Sequence, residues 1–314
     1  MIPVVRIGTR GSNLALVQSR HIAKLLVDTG IAGRVDLQII KTSGDRIQDR
    51  SLSEIGGKGL FIKEIEEALA LGEVDLAVHS MKDVPGVLPP GFVLTATLER
   101  ESPFDVLITR DGRPLAEVPA GSLVGSSSLR RRSQILALRP DLRVEQLRGN
   151  VETRLGKVDR GDFDATILAH AGLRRLGLHD VKGAVLSADE MLPAIGQGAL
   201  ALETREDHAA LREGLTRLDH PATAAAVTAE RAVMRRLGGS CVTPVAGFAV
   251  VEGGALRLRA LIAAPDGSRI VRGEDSGAPE DAAVIGLRLA DRLLADGGLD
   301  ILAAIGVTPE GTGA

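Results

Sequence analysis

Two hydrophobic periods take turns along the first two thirds of the chain. Short apolar runs of strand length are each followed by a stretch with apolar residues every three or four positions. Val4 to Ile7 predicts a strand. Gly8-Thr9-Arg10-Gly11-Ser12 predicts a tight polar loop with Ser12 as a helix cap. Ala15, Ile22 and Leu26, with Leu14 and Leu25 beside them, place one apolar face on a helix reaching about Val27. Val35, Leu37 and Ile39 alternate as a second strand. Gly56-Gly57-Lys58-Gly59 opens a helix carrying Phe61, Ile65 and Leu69 on one face, and Gly72 ends it. Val74, Leu76, Ala77 and Val78 then form a buried parallel strand. His79, Ser80, Lys82 and Asp83 are expected where that strand leaves its sheet, and Pro85 stops further regular structure.

From Ser122 the wiring repeats. Leu123-Val124 is a strand, Gly125 to Ser128 a loop and cap, and Leu129 starts a helix. Gly161-Asp162-Phe163-Asp164-Ala165-Thr166 echoes Gly72-Glu73-Val74-Asp75-Leu76-Ala77 as a helix end followed by a strand. Two α/β lobes of similar wiring imply a cleft between them, a favoured ligand site. Ser102-Pro103 and Leu192-Pro193 mark the crossings. Gly196 to Leu202 reads as a strand returning to the first lobe. From about Pro221 the pattern changes to a helix over Ala222 to Leu237, three strands around Gly253-Gly254 and Pro265-Asp266-Gly267, and a closing amphipathic helix from Asp281 to Leu294. The expected architecture is therefore α/β, with a first lobe of 1–98 and 199–216, a second of 104–193, and a small α+β domain of 217–314 with an antiparallel sheet.

Composition narrows the function classes. The net charge of −3, the absence of Trp and Tyr and the five Phe argue against nucleic acid as a partner. No apolar run approaches membrane-spanning length, and no secretory apolar segment opens the chain. One Cys excludes an internal disulfide framework, and the six His never fall at metal-ligand spacing. A cytoplasmic protein without a metal site is expected.

The charge is unevenly spread. From Arg130 to Arg175 ten Arg and one Lys face six acids, an excess of five positive charges in a chain that is negative overall. Many of these arginines adjoin turns or caps: Arg130-Arg131-Arg132, Arg148 before Gly149-Asn150, and Arg174-Arg175. A guanidinium binds carboxylate or phosphate through a planar fork, so this set points to a ligand with several negative charges. Lys82-Asp83 sits where ligands bind in open α/β sheets, although the same dipeptide also suits a solvated turn. Gly56-Gly57-Lys58-Gly59 suits either an anion or a flexible connector, and it lacks Walker A spacing. Cys241, in the glycine-flanked loop Gly238 to Pro244, reads either as inert or as an exposed nucleophile.

Seven segments, in order, resemble hydroxymethylbilane synthase, the porphobilinogen deaminase family. They are Arg6 to Ser12, Gly56 to Phe61, His79 to Pro85, Gly125 to Arg131, Leu147 to Val151, Gly196 to Ala199, and Cys241. The resemblance implies three domains, the first two like periplasmic binding proteins. It implies a transferase of porphyrin and haem biosynthesis that joins four porphobilinogen units head to tail with loss of ammonia and releases hydroxymethylbilane; a monomer is expected, although sequence does not fix the oligomeric state. It also implies a dipyrromethane cofactor joined by a thioether to Cys241, with Asp83 as the catalytic carboxylate. Lys82, Ser128, Arg130 and Arg131 match residues holding the cofactor's acid groups. Arg10, Ser12, Arg148, Arg154 and Arg175 match residues around substrate and growing chain, and Phe61 and Gln197 match positions near the cleft. Glu54 stands where the family often has Lys, Gly239-Ser240 precedes the cysteine in place of two glycines, and Arg132 is an addition. The main rival reading is a non-catalytic two-lobed polyanion-binding protein, which would carry no permanent extra mass.

Overall fold

The computed structural model describes residues 1–46, 62–239 and 243–311. The expectations for Glu54, Gly56 to Gly59, Phe61 and Cys241 fall outside the described residues. In chain order the first elements are β1 (Ile2–Thr9), α1 (Asn13–Asp28), β2 (Ala32–Ile39), α2 (Ser43–Arg46), α3 (Lys63–Ala70), β3 (Leu76–Ser80) and β4 (Phe92–Thr97). Next come β5 (Asp105–Thr109), β6 (Leu123–Gly125), α4 (Leu129–Leu138), β7 (Arg143–Glu145), α5 (Val151–Asp159), β8 (Ala165–Ala169), α6 (His170–Arg175) and β9 (Gly183–Val185). The chain closes with β10 (Leu200–Arg205), α7 (Ala209–Leu215), α8 (Pro221–Arg236), β11 (Val245–Glu252), β12 (Ala255–Ala263), β13 (Ile270–Gly277), α9 (Ala282–Leu293) and α10 (Leu299–Ala304).

The strands form two five-stranded sheets with the same plan. The first has the order β2-β1-β3-β10-β4 and the second β7-β6-β8-β5-β9. In each, three strands are parallel and the fourth is antiparallel to both neighbours. That fourth strand follows a crossover from the other sheet in both cases: β5 after residues 98–104, β10 after residues 186–199. Pro103 and Pro193 lie in these crossovers.

Strand alternation sends each sheet's side chains into two separate cores. In β3, Leu76 and Val78 meet Ile22 and Leu26 of α1, while Ala77 meets Ile65 and Leu69 of α3. In the second sheet Leu107, Val124 and Ile167 meet Ile135 of α4, while Val106, Ile108 and Leu168 meet Leu173 of α6. The third unit is an antiparallel sheet β11-β12-β13 covered by α8 and α9, with Val233, Leu258, Ile262, Ile285 and Leu289 in its core. Among the described residues no helix is long and apolar enough to cross a membrane.

Three boundaries move from their sequence expectation. Strand β1 starts at Ile2, because Ile2 pairs with Ala32. His79 and Ser80 stay inside β3, because Ala201 and Leu200 of β10 pair with them. The return strand starts at Leu200, because Gly196 and Gly198 turn the connector at φ +72° and +90°. A Cβ on Gly198 would collide with the Glu101 carbonyl oxygen of the opposite crossover, so glycine is required there.

One buried ion pair joins the crossovers to the third unit. The Arg100 guanidinium, in the first crossover, meets the fully buried Glu230 carboxylate of α8 at 2.5 Å, and Arg100 Nε donates to the Gln197 carbonyl at 2.7 Å. Glu230 also accepts the N–H of Gly196 at 2.6 Å and of Ala249 in β11 at 2.8 Å. Removing one charge of such a pair strands the other in a dry site. Glu230→Gln is expected to lower stability by about 3–5 kcal/mol, read as a lower midpoint of thermal unfolding by circular dichroism.

Candidate active site

The stretch Met81 to Asp83 makes one short 3-10 turn at the end of β3. The Met81 N–H donates to the Ala199 carbonyl at 3.0 Å, and Met81 and Val84 are buried with Ile62, Ala201 and Val227. These two anchors leave Asp83 exposed and Lys82 half-buried between them. Asp83 lines an open cleft together with Arg10, Ser12, Gln18, His79 and Ser80. Ser12 reaches it because it caps α1, its hydroxyl accepting the Ala15 N–H at 3.3 Å. Gln18 donates to the Ser80 hydroxyl at 3.1 Å and so ties α1 to β3. The structure thus brings Asp83, Arg10 and Ser12 into one pocket.

A second group lies behind Lys82 and centres on Asp105, the fully buried first residue of β5. Arg130 Nη2 meets one carboxylate oxygen at 2.7 Å, and Arg131 Nη2 meets the other at 2.7 Å. Both guanidiniums are themselves buried, and each spends its other arm on a carbonyl, Leu192 for Arg130 and Ile167 for Arg131. They reach Asp105 because Ser128 starts α4 just before them, accepting the Arg131 N–H at 3.4 Å. Burial alone would raise the Asp105 carboxyl, but Arg130 and Arg131 overturn that and hold it well below the usual carboxylate range.

Gln197 links this group to the first lobe. Its Nε2 donates to Asp105 at 3.0 Å and to the Pro103 carbonyl at 2.7 Å, while its Oε1 accepts from Lys82 Nζ at 3.3 Å. Burial pushes the Lys82 ammonium down to about 8. Asp83 and Asp105 pull it up, and Arg131 and Arg130 push it further down.

The remaining arginines are placed differently. Arg154 donates to the Gly149 carbonyl at 2.9 Å, and burial, then Arg131 and Arg148, push it down to about 10. Arg131, Arg148 and Arg154 therefore share one neighbourhood. Arg175 reaches the connector, donating to the Gly198 carbonyl at 2.6 Å, and is pushed down to about 10 by burial against the pull of Glu101. Arg132 is exposed and acts on Asp266 in the β12–β13 turn of the third unit. The two lobes also touch directly: Asn13 at the start of α1 donates to Glu152 of α5 at 2.9 Å.

Two features escaped the sequence reading. Asp105 heads the apolar run Asp105-Val106-Leu107-Ile108, and an acid opening a buried strand is a signal that could have marked it. The second lies inside the first lobe. His79 Nε2 meets Glu203 of β10 at 2.7 Å with both side chains buried, and burial, then Glu203, push the nearby Glu66 carboxyl up to about 7. The β3–β10 pairing brings His79 and Glu203 together, and α3 adds Glu66.

Chemically, Lys82, Arg130 and Arg131 set three cations against the single carboxylate of Asp105, beside a pocket lined by Asp83 and Arg10. The arrangement leaves an excess of positive charge beside that pocket, which can attract acid groups. The sign of the pH effect follows from Lys82: it is charged below about 8 and neutral above. In the chain freed of any bound anion, affinity for a tricarboxylate probe is expected to fall several-fold between pH 7 and 9. Calorimetry in buffers of different ionisation enthalpy should show proton uptake near pH 8, absent in Lys82→Gln.

Comparison with known proteins places this arrangement. The family model described as "Porphobilinogen deaminase, dipyromethane cofactor binding domain" matches residues 5–213, and the one described as "Porphobilinogen deaminase, C-terminal domain" matches 224–295. A porphobilinogen deaminase of Ralstonia nicotianae is 51% identical over 304 residues, 96% of this chain and 91% of that one. One of Bordetella parapertussis is 52% identical over 299 residues, 95% of each. Among solved structures, the periplasmic aliphatic sulphonate binding protein SsuA from Escherichia coli aligns over 75% of this chain and 70% of its own at TM-score 0.41 and 16% identity. With family models spanning both five-stranded sheets and the third unit, and relatives half identical over nearly the whole length, the chain belongs to the porphobilinogen deaminase family.

Proposed function

We propose that the cleft between the two sheets is where this chain joins porphobilinogen units, and that it works through three units: 1–98 with 199–216, 104–193, and 217–314. The activity is that of hydroxymethylbilane synthase, a transferase that polymerises four porphobilinogen units head to tail, releases ammonia at each joining, and yields the linear tetrapyrrole hydroxymethylbilane. The observation that carries this reading is the cation excess around Asp105, next to the Asp83 pocket. Each porphobilinogen brings an acetate and a propionate, so the bound chain gains two carboxylates at every step.

The dipyrromethane cofactor fits the residues present. Lys82 is a half-buried ammonium that burial and two guanidiniums disfavour, and an acid group beside it would favour its charged form. Lys82, Arg130 and Arg131, with Ser128 at the start of α4, would hold the cofactor's acetates and propionates. Cys241 would attach it covalently, since a thiolate is a strong carbon nucleophile; α8 and Gly238-Gly239 lead the chain to that position. When bound, the cofactor supplies the primer pyrrole from which the chain grows. Arg10, Ser12, Arg148, Arg154 and Arg175 would hold the acid groups of substrate and product. A guanidinium has five donors, so Arg154 and Arg175 keep several beyond their single carbonyl bonds.

Asp83 does different work. As ammonia leaves porphobilinogen, positive charge develops on the pyrrole. A carboxylate facing that ring stabilises the charge only while it exists, which is what raises the chemical rate. Its oxygen can also carry the proton that reaches the leaving amine.

Two experiments test this. The purified protein should be heavier than its sequence by one dipyrromethane, and Cys241→Ser should lack both that mass and turnover. Extra mass on another residue, or active protein without it, refutes the attachment. Asp83→Asn should fold, and should lose about 10²-fold or more in single-turnover ammonia release. Asp83→Glu, which keeps the charge, should retain more. Near-parental rates in both would make Asp83 a structural residue.

A further inference from the structure

The turn carrying Lys82 and Asp83 is clamped from outside its own lobe. Val227 of α8 packs on Met81 and Val84, the two buried residues of the turn. One helical turn on, Arg231 donates from Nη2 to the carbonyls of Pro85 at 2.8 Å and Gly86 at 3.2 Å, and from Nη1 to that of Val84 at 3.4 Å. These are the three peptide carbonyls that follow Asp83, and none belongs to a strand. The backbone runs so close to α8 that a Cβ on Gly86 would sit 3.0 Å from Arg235 Cγ. Arg231 is half-buried and pushed down to about 10 by burial and by Arg235, against the pull of Glu203, so it remains a cation at neutral pH. The same helix ends at Arg236 and runs through Gly238-Gly239 to the segment that holds Cys241. One helix thus grips the backbone behind Asp83 and carries the stem of the cysteine.

We propose that Arg231 is a positioning residue for the joining reaction. It locks the backbone of the Asp83 turn to α8 and so fixes where the Asp83 carboxylate stands in its pocket. This rests on the roles proposed above for Asp83 and Cys241. The guanidinium suits the task because its planar fork spans successive carbonyls, whereas an ammonium in the same place satisfies fewer of them at once. A carboxylate displaced by an ångström loses much of its effect on a developing charge. The bonds of Arg231 go to the Asp83 turn itself, so on this reading its loss should spare binding and cofactor loading and slow turnover.

The test uses full-length, cofactor-loaded protein. Arg231→Met should carry the dipyrromethane mass, with kcat reduced about 10-fold or more and KM within about twofold; Arg231→Lys should recover part of the loss. Combined with Asp83→Asn, Arg231→Met should slow single-turnover ammonia release no further, because it acts only through Asp83. Parental kcat in folded, loaded Arg231→Met overturns the proposal, as does a loss that is equally large with and without Asp83→Asn. Should Arg231→Met not fold, Val227→Ala loosens the same clamp and must show the same kcat-only loss and the same non-additivity. If Asp83→Asn alone is crippled while the clamp variants turn over normally, only the positioning role fails. If Asp83→Asn turns over normally, the catalytic reading fails first.

Discussion

Asp105 is a carboxylate with no exposure to water, and an ionised group in that position survives only with partners at hand. Its partners come from two places in the chain. Arg130 and Arg131 arrive on the first turn of α4, and Gln197 arrives on the connector that leads back to the first sheet. Gln197 in turn accepts Lys82 from the end of β3. A single buried charge therefore orders the head of one sheet, the start of one helix, the return crossover and the turn that presents Asp83. One carboxylate does not neutralise two guanidiniums and an ammonium. The surplus positive charge sits where water is scarce and electrostatic effects are strong, which is the physical basis for the proposal that this cleft takes acid groups.

That same surplus creates a conflict for the chemistry. A cationic cleft suits carboxylates but opposes the positive charge that forms on a pyrrole as ammonia departs. The fold separates the two demands. The buried guanidiniums cluster around Asp105 in the second lobe, while Asp83 faces a pocket on the first, in the company of Arg10 and Ser12. In the role proposed for Asp83, a local carboxylate offsets a transient cation inside a field that otherwise favours anions.

The third unit is more than an appendage to the two lobes. Glu230 and Arg231, consecutive on α8, face two different tasks. Glu230 ties Arg100, Gly196 and Ala249 together where both crossovers meet β11, and Arg231 holds the carbonyls behind Asp83. Polar side chains suit this junction because crossovers and turns leave peptide groups with no ladder partner, and those groups need donors and acceptors when buried. The helix that leads to Cys241 supplies both.

By itself the sequence determined the local elements and the family. Periodicity located α1, α3, α4, α8 and α9 and the strands β2, β11, β12 and β13 to within a few residues, because caps, glycine stops and apolar faces act over one or two turns. The echo between Gly72–Ala77 and Gly161–Thr166 revealed two lobes of one plan, and the ordered motifs from Arg6 to Cys241 named the family and its candidate residues. What tertiary structure decided was which groups meet. The pairing of β10 with β3 kept His79 and Ser80 in the ladder and set Glu203 against His79. The crossover at Asp105 turned Arg130 and Arg131 inward onto a carboxylate that lies outside the arginine-rich segment. Arg231 reached the Asp83 turn across some 145 residues of chain. None of these contacts leaves a periodic trace, since each joins residues far apart in sequence. A buried charge is defined by its partners in space, and those exist only once the chain has folded.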